Sequence, residues 1–234
     1  MEKAEKGHSR TDLAANQLIE LILEKGFQPG DKLPNEYELA ALLGIGRSAV
    51  REAIRQLVSR NILKVRQGAG TFVAQETGIP EDPLGLTFIG NDPGLALELS
   101  DVRMLIEPAA AELAAINATD EQIERMSQLC GELGRLVAEG KSYIPADLEI
   151  HRCIGESCGN SILRNLMYIL SDASKIAIEI SKDRFRGVAH AEHEKLVQAI
   201  RRRDPVGARY AMISHLNTSR QHFAEQKEHP RTQS

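Results

Sequence analysis

Asp147 and His151 are four residues apart in a segment of helical periodicity, so both side chains lie on one face of the predicted helix. His193 falls in the next-to-last predicted helix and His215 in the last. One carboxylate and three imidazoles suit a transition metal such as Zn, Ni, Mn or Fe and leave coordination positions open. From spacing alone, an ordinary i,i+4 pair and separate scaffold histidines remain alternatives, and His190 could compete as a ligand.

A second group of side chains is basic and lies near the N-terminus. Between residues 46 and 70 there are six basic residues and one acid, Glu52, which gives a local charge of +5. The whole chain has a net charge of −4, so the remainder carries −9. A basic patch on an acidic body indicates binding to a polyanion, although a solvated helix face is the alternative. The basic residues are Arg47, Arg51, Arg55, Arg60, Lys64 and Arg66.

The segment that carries this charge shows the order helix, helix, turn, helix, hairpin. Thr11 or Asp12 is the predicted cap of the first helix, Asn35 caps the second and Gly44 ends it. In the third helix, four aliphatic residues are predicted to face the core: Val50, Ile54, Leu57 and Val58. The predicted elements are helices at 11–25, 36–43 and 47–60 and a β-hairpin over 62–73.

The four residues 43–46 form a tight connection typical of a helix-turn-helix, whose second helix enters the major groove of DNA. Arg47 and Arg51 then lie one turn apart near the start of that helix, where arginine can bind guanine O6 and N7. Three further DNA contacts are predicted: Arg55 and Ser48 to phosphate, and Gly68 in the turn of the hairpin, the wing. The alternative is a small helical scaffold with a surface hairpin.

Beyond the hairpin, the chain is predicted to be helical. Glycine and proline recur over 77–93 without a sustained period, which indicates a linker. Thr119 and Gln122 form a predicted capping box. The predicted helices are 95–116, about 120–140, 145–158, 161–181, about 187–203 and 205 to about 223, followed by a polar, disordered tail. The fold class is therefore mainly α: an N-terminal winged helix-turn-helix over 1–76, a linker over 77–93, an all-α antiparallel helical bundle over 94–226 and a tail over 227–234.

Composition limits the compartment and the kind of activity. No apolar run approaches the roughly 20 residues of a membrane helix, and the N-terminus is polar, so we expect a cytoplasmic protein without membrane contact. Three cysteines without a CxxC pair agree with a reducing compartment. The sequence shows no catalytic triad, phosphate-binding loop or cofactor fingerprint.

Three stretches of the N-terminal segment resemble the GntR family of bacterial regulators. They are PGDKLPNEYELA at 29–40, LGIGRSAVREAI at 43–54 and QGAGTFV at 67–73. The resemblance implies DNA contacts by Arg47, Arg51, Gly68 and Ser48. Two positions depart from the family pattern. Tyr37 stands where members often have an arginine that contacts DNA, and could instead bind a phosphate. Gly46 replaces a frequent serine cap at a cost of only a few tenths of a kcal/mol.

The C-terminal half resembles the FCD effector domain of the FadR subfamily. The resemblance rests on LELSDVRMLIEPAA at 97–110, DLEIH at 147–151, the Gly159-Asn160 turn, Glu192-His193 and His215-Leu216. In metal-containing members, the equivalent aspartate and three histidines bind the ion, which implies a divalent metal (Zn, Ni or Mn) at Asp147, His151, His193 and His215, with His190 left at the surface.

The same resemblance implies how the domain would act. Such domains are sensors of small organic acids, with Arg103 as the expected effector clamp and Asn165 as a weaker candidate. An ion pair with Glu107, one turn on, is the alternative role of Arg103. The family also implies a homodimer on a palindromic operator, in a repressor that the effector releases.

Two rival interpretations share the metal site. A DNA-tethered metalloenzyme would need a general base beside the metal, for which Glu149 and Glu156 are candidates, although neither clearly shares the Asp147–His151 face. A regulator with a purely structural metal would bind its effector elsewhere or have none. The expectation is a regulator and not an enzyme.

Overall fold

In a computed structural model, the chain divides into two units, 1–83 and 84–234. The structure describes residues 10–75, 78–80, 82–86, 93–181 and 186–228. Within these ranges, the elements are nine helices and one two-stranded sheet, which confirms the mainly α fold class. The division falls inside the predicted linker over 77–93.

The N-terminal unit contains three helices followed by a hairpin. Asn35 caps the second helix and Gly44 ends it at φ 66°, both as predicted. Asn35 accepts hydrogen bonds from the amides of Tyr37 and Glu38, and Glu38 completes a capping box that the sequence analysis did not predict. The first helix begins at Arg10, one residue earlier than predicted, so Thr11 and Asp12 lie within its first turn rather than before it. The elements are α1 (Arg10–Glu24), α2 (Glu36–Leu43), α3 (Arg47–Ser59), β1 (Leu63–Arg66) and β2 (Gly70–Val73).

The core of this unit fixes the orientation of α3. Its buried stripe consists of Val50, Ala53, Ile54 and Leu57, packed against Leu18 and Leu39 of the other two helices. Val58 is 38% exposed, so its predicted burial is wrong: it lies about 100° around the helix from Leu57. The stripe therefore turns the arginines of α3 toward solvent.

The hairpin pairs β1 and β2 in antiparallel register from Leu63 opposite Val73 to Arg66 opposite Gly70. An isolated bridge between Lys32 and Phe72 ties the segment before α2 to the hairpin. Gly68 adopts φ 73° in the turn, a conformation that costs glycine little. The hairpin therefore projects as a wing beside α3, as the sequence predicts.

The C-terminal unit is all-helical, and its predicted boundaries are shifted by up to two residues except at the end. The last helix continues to Glu228, five residues past its predicted end near residue 223, so the expectation of a disordered tail directly after that end is wrong over 225–228. The remainder of the predicted tail lies outside the described residues. The helices are α4 (Pro93–Asn117), α5 (Asp120–Ala138), α6 (Ile144–Ser157), α7 (Ser161–Ser181), α8 (Arg186–Arg201) and α9 (Pro205–Glu228).

Small and aliphatic side chains hold this bundle together. Alanines on one face of α4 are completely buried and let α9 pack closely against it. Thr119 and Gln122 form the predicted capping box that begins α5. Helix α6 packs against α4, and α8 packs against α9. The candidate metal ligands lie on the buried faces of α6, α8 and α9. Within the described ranges, no helix is both long and apolar enough to cross a membrane.

Candidate metal centre and nucleic-acid interface

The structure brings together all four residues that the sequence singled out as metal ligands. Asp147 and His151 come from α6, His193 from α8 and His215 from α9. One potential ligand atom from each lies within 4.8 Å of the other three, and all four side chains are buried. This donor set could hold a divalent transition metal, because imidazole and carboxylate groups suit such ions.

Contacts within the cluster place donor atoms next to each other. His193 Nε2 lies 3.3 Å from Asp147 Oδ1, and His151 Nε2 lies 3.2 Å from His215 Nε2. Two nitrogens bound to one metal at about 2.1 Å would be about 3.0 to 3.4 Å apart at octahedral or tetrahedral angles. The separation of the two histidine nitrogens therefore matches that of two ligands of one ion.

Carboxylates behind the cluster orient two of its histidines. Glu107 Oε2 lies 2.6 Å from His151 Nδ1, a contact that places the ring proton on Nδ1. Glu192 Oε2 lies 3.5 Å from His215 Nδ1, within ion-pair distance but without the geometry of a hydrogen bond, and its charge favours a proton on that nitrogen. Each pairing leaves the Nε2 lone pair for a ligand position. The two facing lone pairs repel each other unless a cation or a proton lies between them.

The electrostatics of the cluster favour a cation. Burial raises the pKa of the Asp147 carboxyl, but electrostatic attraction to His193, His151 and His215 is stronger, so the net effect is a lowered pKa. Burial lowers the pKa of His215, despite the opposing contact with Glu192. The resulting forms, an ionised carboxylate and a neutral imidazole, are those that bind metals.

Arg103 lies beside the cluster and is 5% exposed. Its Nε donates to Glu107 Oε1 at 2.6 Å, so the ion pair weighed from the sequence is present, and Nη2 lies 3.5 Å from both ring nitrogens of His151. Burial raises the pKa of Glu107, but Arg103 and His151 reverse the effect and hold that pKa well below its ordinary value. Glu107 therefore joins the expected effector clamp to a candidate metal ligand.

The other effector candidate and the competing histidine lie apart from these contacts. Asn165 is half-buried on α7, and in the described part of the chain no hydrogen bond joins it to the cluster. His190 is also half-buried, so it is not fully at the surface, and it packs against Gly134 of α5. It is absent from the group of potential metal ligands.

The two glutamates considered as general bases for a metalloenzyme pair with an arginine instead of lying beside the metal cluster. Glu149 and Glu156 form ion pairs with Arg125 of α5 and are about 30% exposed, while the cluster is buried.

Burial raises the pKa of Cys130 to about 11 and that of Cys153 to about 12, so neither thiol ionises readily near neutral pH. These side chains add no chemistry to the cluster.

The candidate DNA interface is the outer face of α3 and the wing. The six basic residues between 46 and 70 are all exposed, as is Ser48 in the first turn of α3. Gly46 begins α3 without a side-chain hydrogen bond to the first-turn amides, which therefore stay available to a phosphate. Tyr37 is 71% exposed near the start of α2.

The arginines of α3 differ in their partners. Arg51 binds Glu36 of α2 through two nitrogens, and Arg55 binds Glu52 within its own helix at 2.6 Å. Arg47 forms no ion pair with any residue in the described ranges. The sequence pattern found the three arginines but missed Glu36, because the Arg51 contact spans fifteen residues and two helices.

Known proteins share both halves of the chain. Residues 11–73 match the family described as "Bacterial regulatory proteins, gntR family", and residues 98–218 match the FCD domain. The HTH-type transcriptional repressors NanR of Cronobacter sakazakii and Escherichia coli K12 are each 28% identical to it over 221 residues. The alignment covers 89% of this chain and 83% and 82% of those proteins, respectively.

A solved structure supports the same relationship. The Streptococcus agalactiae GntR structure is 36% identical, with a TM-score of 0.79, and the match covers 90% of this chain and 99% of that one. The winged helix-turn-helix and its exposed basic face define a DNA-binding transcription regulator, which confirms the predicted class and the prediction that it is not an enzyme. The chain belongs to the GntR family and carries an FCD domain.

Proposed function

We propose that this chain is a repressor whose binding to operator DNA is controlled by a small carboxylate at a metal ion in its C-terminal domain. The observation that carries the proposal is the buried cluster of one carboxylate and three imidazoles. Repression is supported by the NanR relatives, which are named transcriptional repressors. In this proposal, residues 1–76 bind DNA and residues 94–226 bind the effector. A regulator of bacterial DNA acts in the cytoplasm.

Four side chains would hold the metal ion, with Zn, Ni or Mn as the candidates. Three imidazole donors and one carboxylate are compatible with each of these ions. Glu107 orients the ring of His151 so that its Nε2 faces Nε2 of His215, and Glu192 lies on the Nδ1 side of His215. The residues that would coordinate the ion are Asp147, His151, His193 and His215.

A bound metal would offer an open position to a carboxylate oxygen, and Arg103 would hold the other end of the same effector. Hydrogen bonds from Arg103 to Glu107 use Nε and Nη2, which leaves Nη1 for a ligand. The buried carboxylate of Glu107 also keeps the guanidinium beside His151 rather than in solvent. Asn165 remains a second candidate for effector contact.

At the other end of the chain, operator recognition would use the exposed face of α3. Arg47 and Arg51 would contact base edges, since each can reach the major groove from the first two turns of the helix. Phosphate contacts would come from Ser48, Arg55 and Tyr37, and the wing would approach DNA at Gly68. A homodimer would present two such faces to a palindromic operator.

Control of DNA binding would follow from a shift between dimer conformations. An effector shifts the equilibrium toward the dimer conformation that it binds more tightly, and the size of the shift is set by its difference in affinity for the two conformations. Because the coupling between two binding sites is reciprocal, bound DNA would weaken effector binding to the same extent. The effector would therefore favour a dimer in which the two copies of α3 no longer match the spacing of the operator half-sites. Release of repression by the carboxylate is the expected direction.

Metal content tests the site. Elemental mass spectrometry of the purified full-length protein is expected to find about one metal ion per chain in the wild type. The His151→Ala/His215→Ala variant should lose it, and His190→Ala, one turn before His193, should keep it. Wild-type protein without metal after incubation with Zn, Ni and Mn would overturn the metal site and leave the DNA-binding half of the proposal standing.

Cobalt substitution separates a sensing metal from a structural one. The visible spectrum of Co²⁺ reports its ligands, so small carboxylates, beginning with acetate and citrate, are added to the Co²⁺-loaded protein. A saturable spectral change that weakens in Arg103→Met supports an open position beside that arginine. A spectrum that no carboxylate changes would show a closed, structural site and overturn the effector proposal.

A further inference from the structure

Arg51 is held by a residue outside its own helix. Its Nε lies 3.2 Å from both carboxylate oxygens of Glu36, and its Nη2 donates to Glu36 Oε2 at 2.8 Å. Glu36 is the first residue of α2, and Arg51 lies in the second turn of α3. The contact therefore joins the two helices of the helix-turn-helix on the exposed side proposed above to bind DNA.

The carboxylate occupies only one edge of the guanidinium. With Nε and Nη2 taken by Glu36, the opposite edge, formed by Nη1 and the second hydrogen of Nη2, remains available. That edge is a planar pair of donors that matches guanine O6 and N7. The Arg51 side chain stays 50% exposed in this pair, so the free edge can reach a ligand.

Neither neighbouring arginine is held in this way. Arg55 pairs with Glu52 three residues earlier on the same helix, and both side chains are more than half exposed. Arg47 makes no ion pair within the residues that the structure describes. Glu36 is thus the one acid on α2 that is bound to an arginine of α3, as far as the described residues show.

The charge of Glu36 adds a second effect. Its hydrogen bond from Arg51 lowers the pKa of the Glu36 carboxyl, against the opposing effect of burial, so the group stays ionised at neutral pH. A carboxylate beside the guanidinium repels DNA phosphates and offsets the attraction between Arg51 and the DNA backbone. A contact to a base edge is less affected, because guanine O6 and N7 carry no formal charge.

We propose that Glu36 is a specificity-determining residue that orients Arg51 toward a guanine and disfavours its binding to phosphate. The inference rests on the proposed role of Arg51 in operator recognition. It assigns to Glu36 a function in sequence discrimination rather than in overall affinity. The pair is too exposed to contribute much to stability, so its role would be one of orientation.

The test compares Glu36→Gln with Glu52→Gln in the full-length protein. Each variant removes one negative charge near α3, but only the first removes the partner of Arg51. The probes are a duplex selected by the wild type from a random library, single-base changes of its guanines, and an unrelated duplex of the same length. Fluorescence anisotropy at several salt concentrations gives each affinity.

Discrimination at one guanine is expected to fall roughly tenfold in Glu36→Gln, since the bidentate contact of an arginine with guanine is the source of that discrimination. Its affinity for the unrelated duplex should rise, with a salt dependence steeper by about one released counterion. Glu52→Gln should keep the guanine discrimination of the wild type. Glu36→Asp retains the charge but shortens the side chain, and is expected to lose part of the discrimination without the change in salt dependence.

Equal guanine discrimination in the wild type and in both Glu36 variants, with native circular dichroism spectra, would overturn the inference while operator recognition stands. A wild type that selects no preferred duplex would instead refute the proposed operator recognition, and the inference with it. Lower discrimination in Glu36→Gln but not in Glu52→Gln would establish Glu36 as the residue that directs Arg51.

Discussion

Replacement of Glu107 by glutamine tests the buried ion pair that links the effector clamp to the metal cluster. Glu107 is 1% exposed and Arg103 is 5% exposed, and they meet at 2.6 Å. Glutamine keeps the volume of the side chain, so Glu107→Gln creates no cavity, but it removes the charge that compensates the guanidinium. The variant therefore removes, at constant volume, the negative charge that faces both Arg103 and His151.

The expected cost is set by the buried arginine that remains. Removal of one partner from a buried ion pair typically costs about 3–5 kcal/mol, because an uncompensated charge stays in the interior. Glutamine can still accept one hydrogen bond, which favours the lower end, about 3 kcal/mol. For a domain of this size, about 2–4 °C per kcal/mol predicts a lower melting temperature by about 6–12 °C.

Near-ultraviolet circular dichroism can follow the C-terminal domain within the full chain. Tyr143 is 3% exposed in its core, whereas Tyr37 in the N-terminal unit is 71% exposed and gives a weaker tertiary signal. Chelator-treated protein separates the ion pair from any stabilisation by metal. The control is Arg103→Met/Glu107→Gln, which should recover about 1–3 kcal/mol relative to the sum of the single variants.

Acid should reduce the difference between Glu107→Gln and the wild type. The pKa of Glu107 is lowered in the folded domain, so its contribution is complete above the ordinary carboxyl value of 4.5 and declines as the pH falls toward the folded value. A variant within about 0.5 kcal/mol of the wild type at neutral pH, the range of ordinary surface substitutions, would refute the reasoning. The reasoning would also be refuted if the destabilisation of Arg103→Met/Glu107→Gln equalled the sum of the destabilisations of the two single variants.

Other predictions concern DNA binding, metal binding and local stability. Arg51→Ala is expected to weaken binding to the selected duplex by about 1–3 kcal/mol with dimerisation unchanged, as measured by anisotropy and sedimentation; unaltered affinity would remove it from the interface. His193→Ala should lower metal content measured by elemental mass spectrometry and keep DNA binding, and full metal retention would exclude His193 as a ligand. Asn35→Ala should cost about 1 kcal/mol in urea unfolding through loss of the α2 cap, and no cost would contradict the observed capping box. Cys153, with its pKa raised to about 12, should react with a thiol reagent only after unfolding, so rapid labelling of the native protein would contradict its burial.

Local sequence signals located most elements because their causes are local. Thr119 with Gln122 is a capping box in sequence and in structure, and Asn35 caps α2 and Gly44 ends it as expected. The predictions of burial and of helix ends were wrong where the hydrophobic pattern of the sequence was weak. Val58 is apolar but lies at the edge of the buried stripe of α3, and the polar composition after Phe223 did not reveal that α9 continues.

The candidate metal ligands could be proposed because His and Asp at these positions resemble a known domain. Their supporting carboxylates could not be assigned in the same way. Glu107 was visible only as an i,i+4 partner of Arg103, while its contact with His151 crosses 44 residues and depends on how α4 packs on α6. Glu36 and Arg51 likewise meet only once α2 and α3 are packed, because no helical periodicity relates residues in different helices.

The most direct test of the account is the affinity of the metal-loaded protein for its selected duplex in the presence of a carboxylate that alters the Co²⁺ spectrum. Anisotropy is measured for the wild type and for His151→Ala/His215→Ala over a series of carboxylate concentrations. The account predicts release of DNA by the wild type and no response in the variant. DNA affinity that stays constant while the carboxylate saturates the metal site would contradict control of the operator by this site.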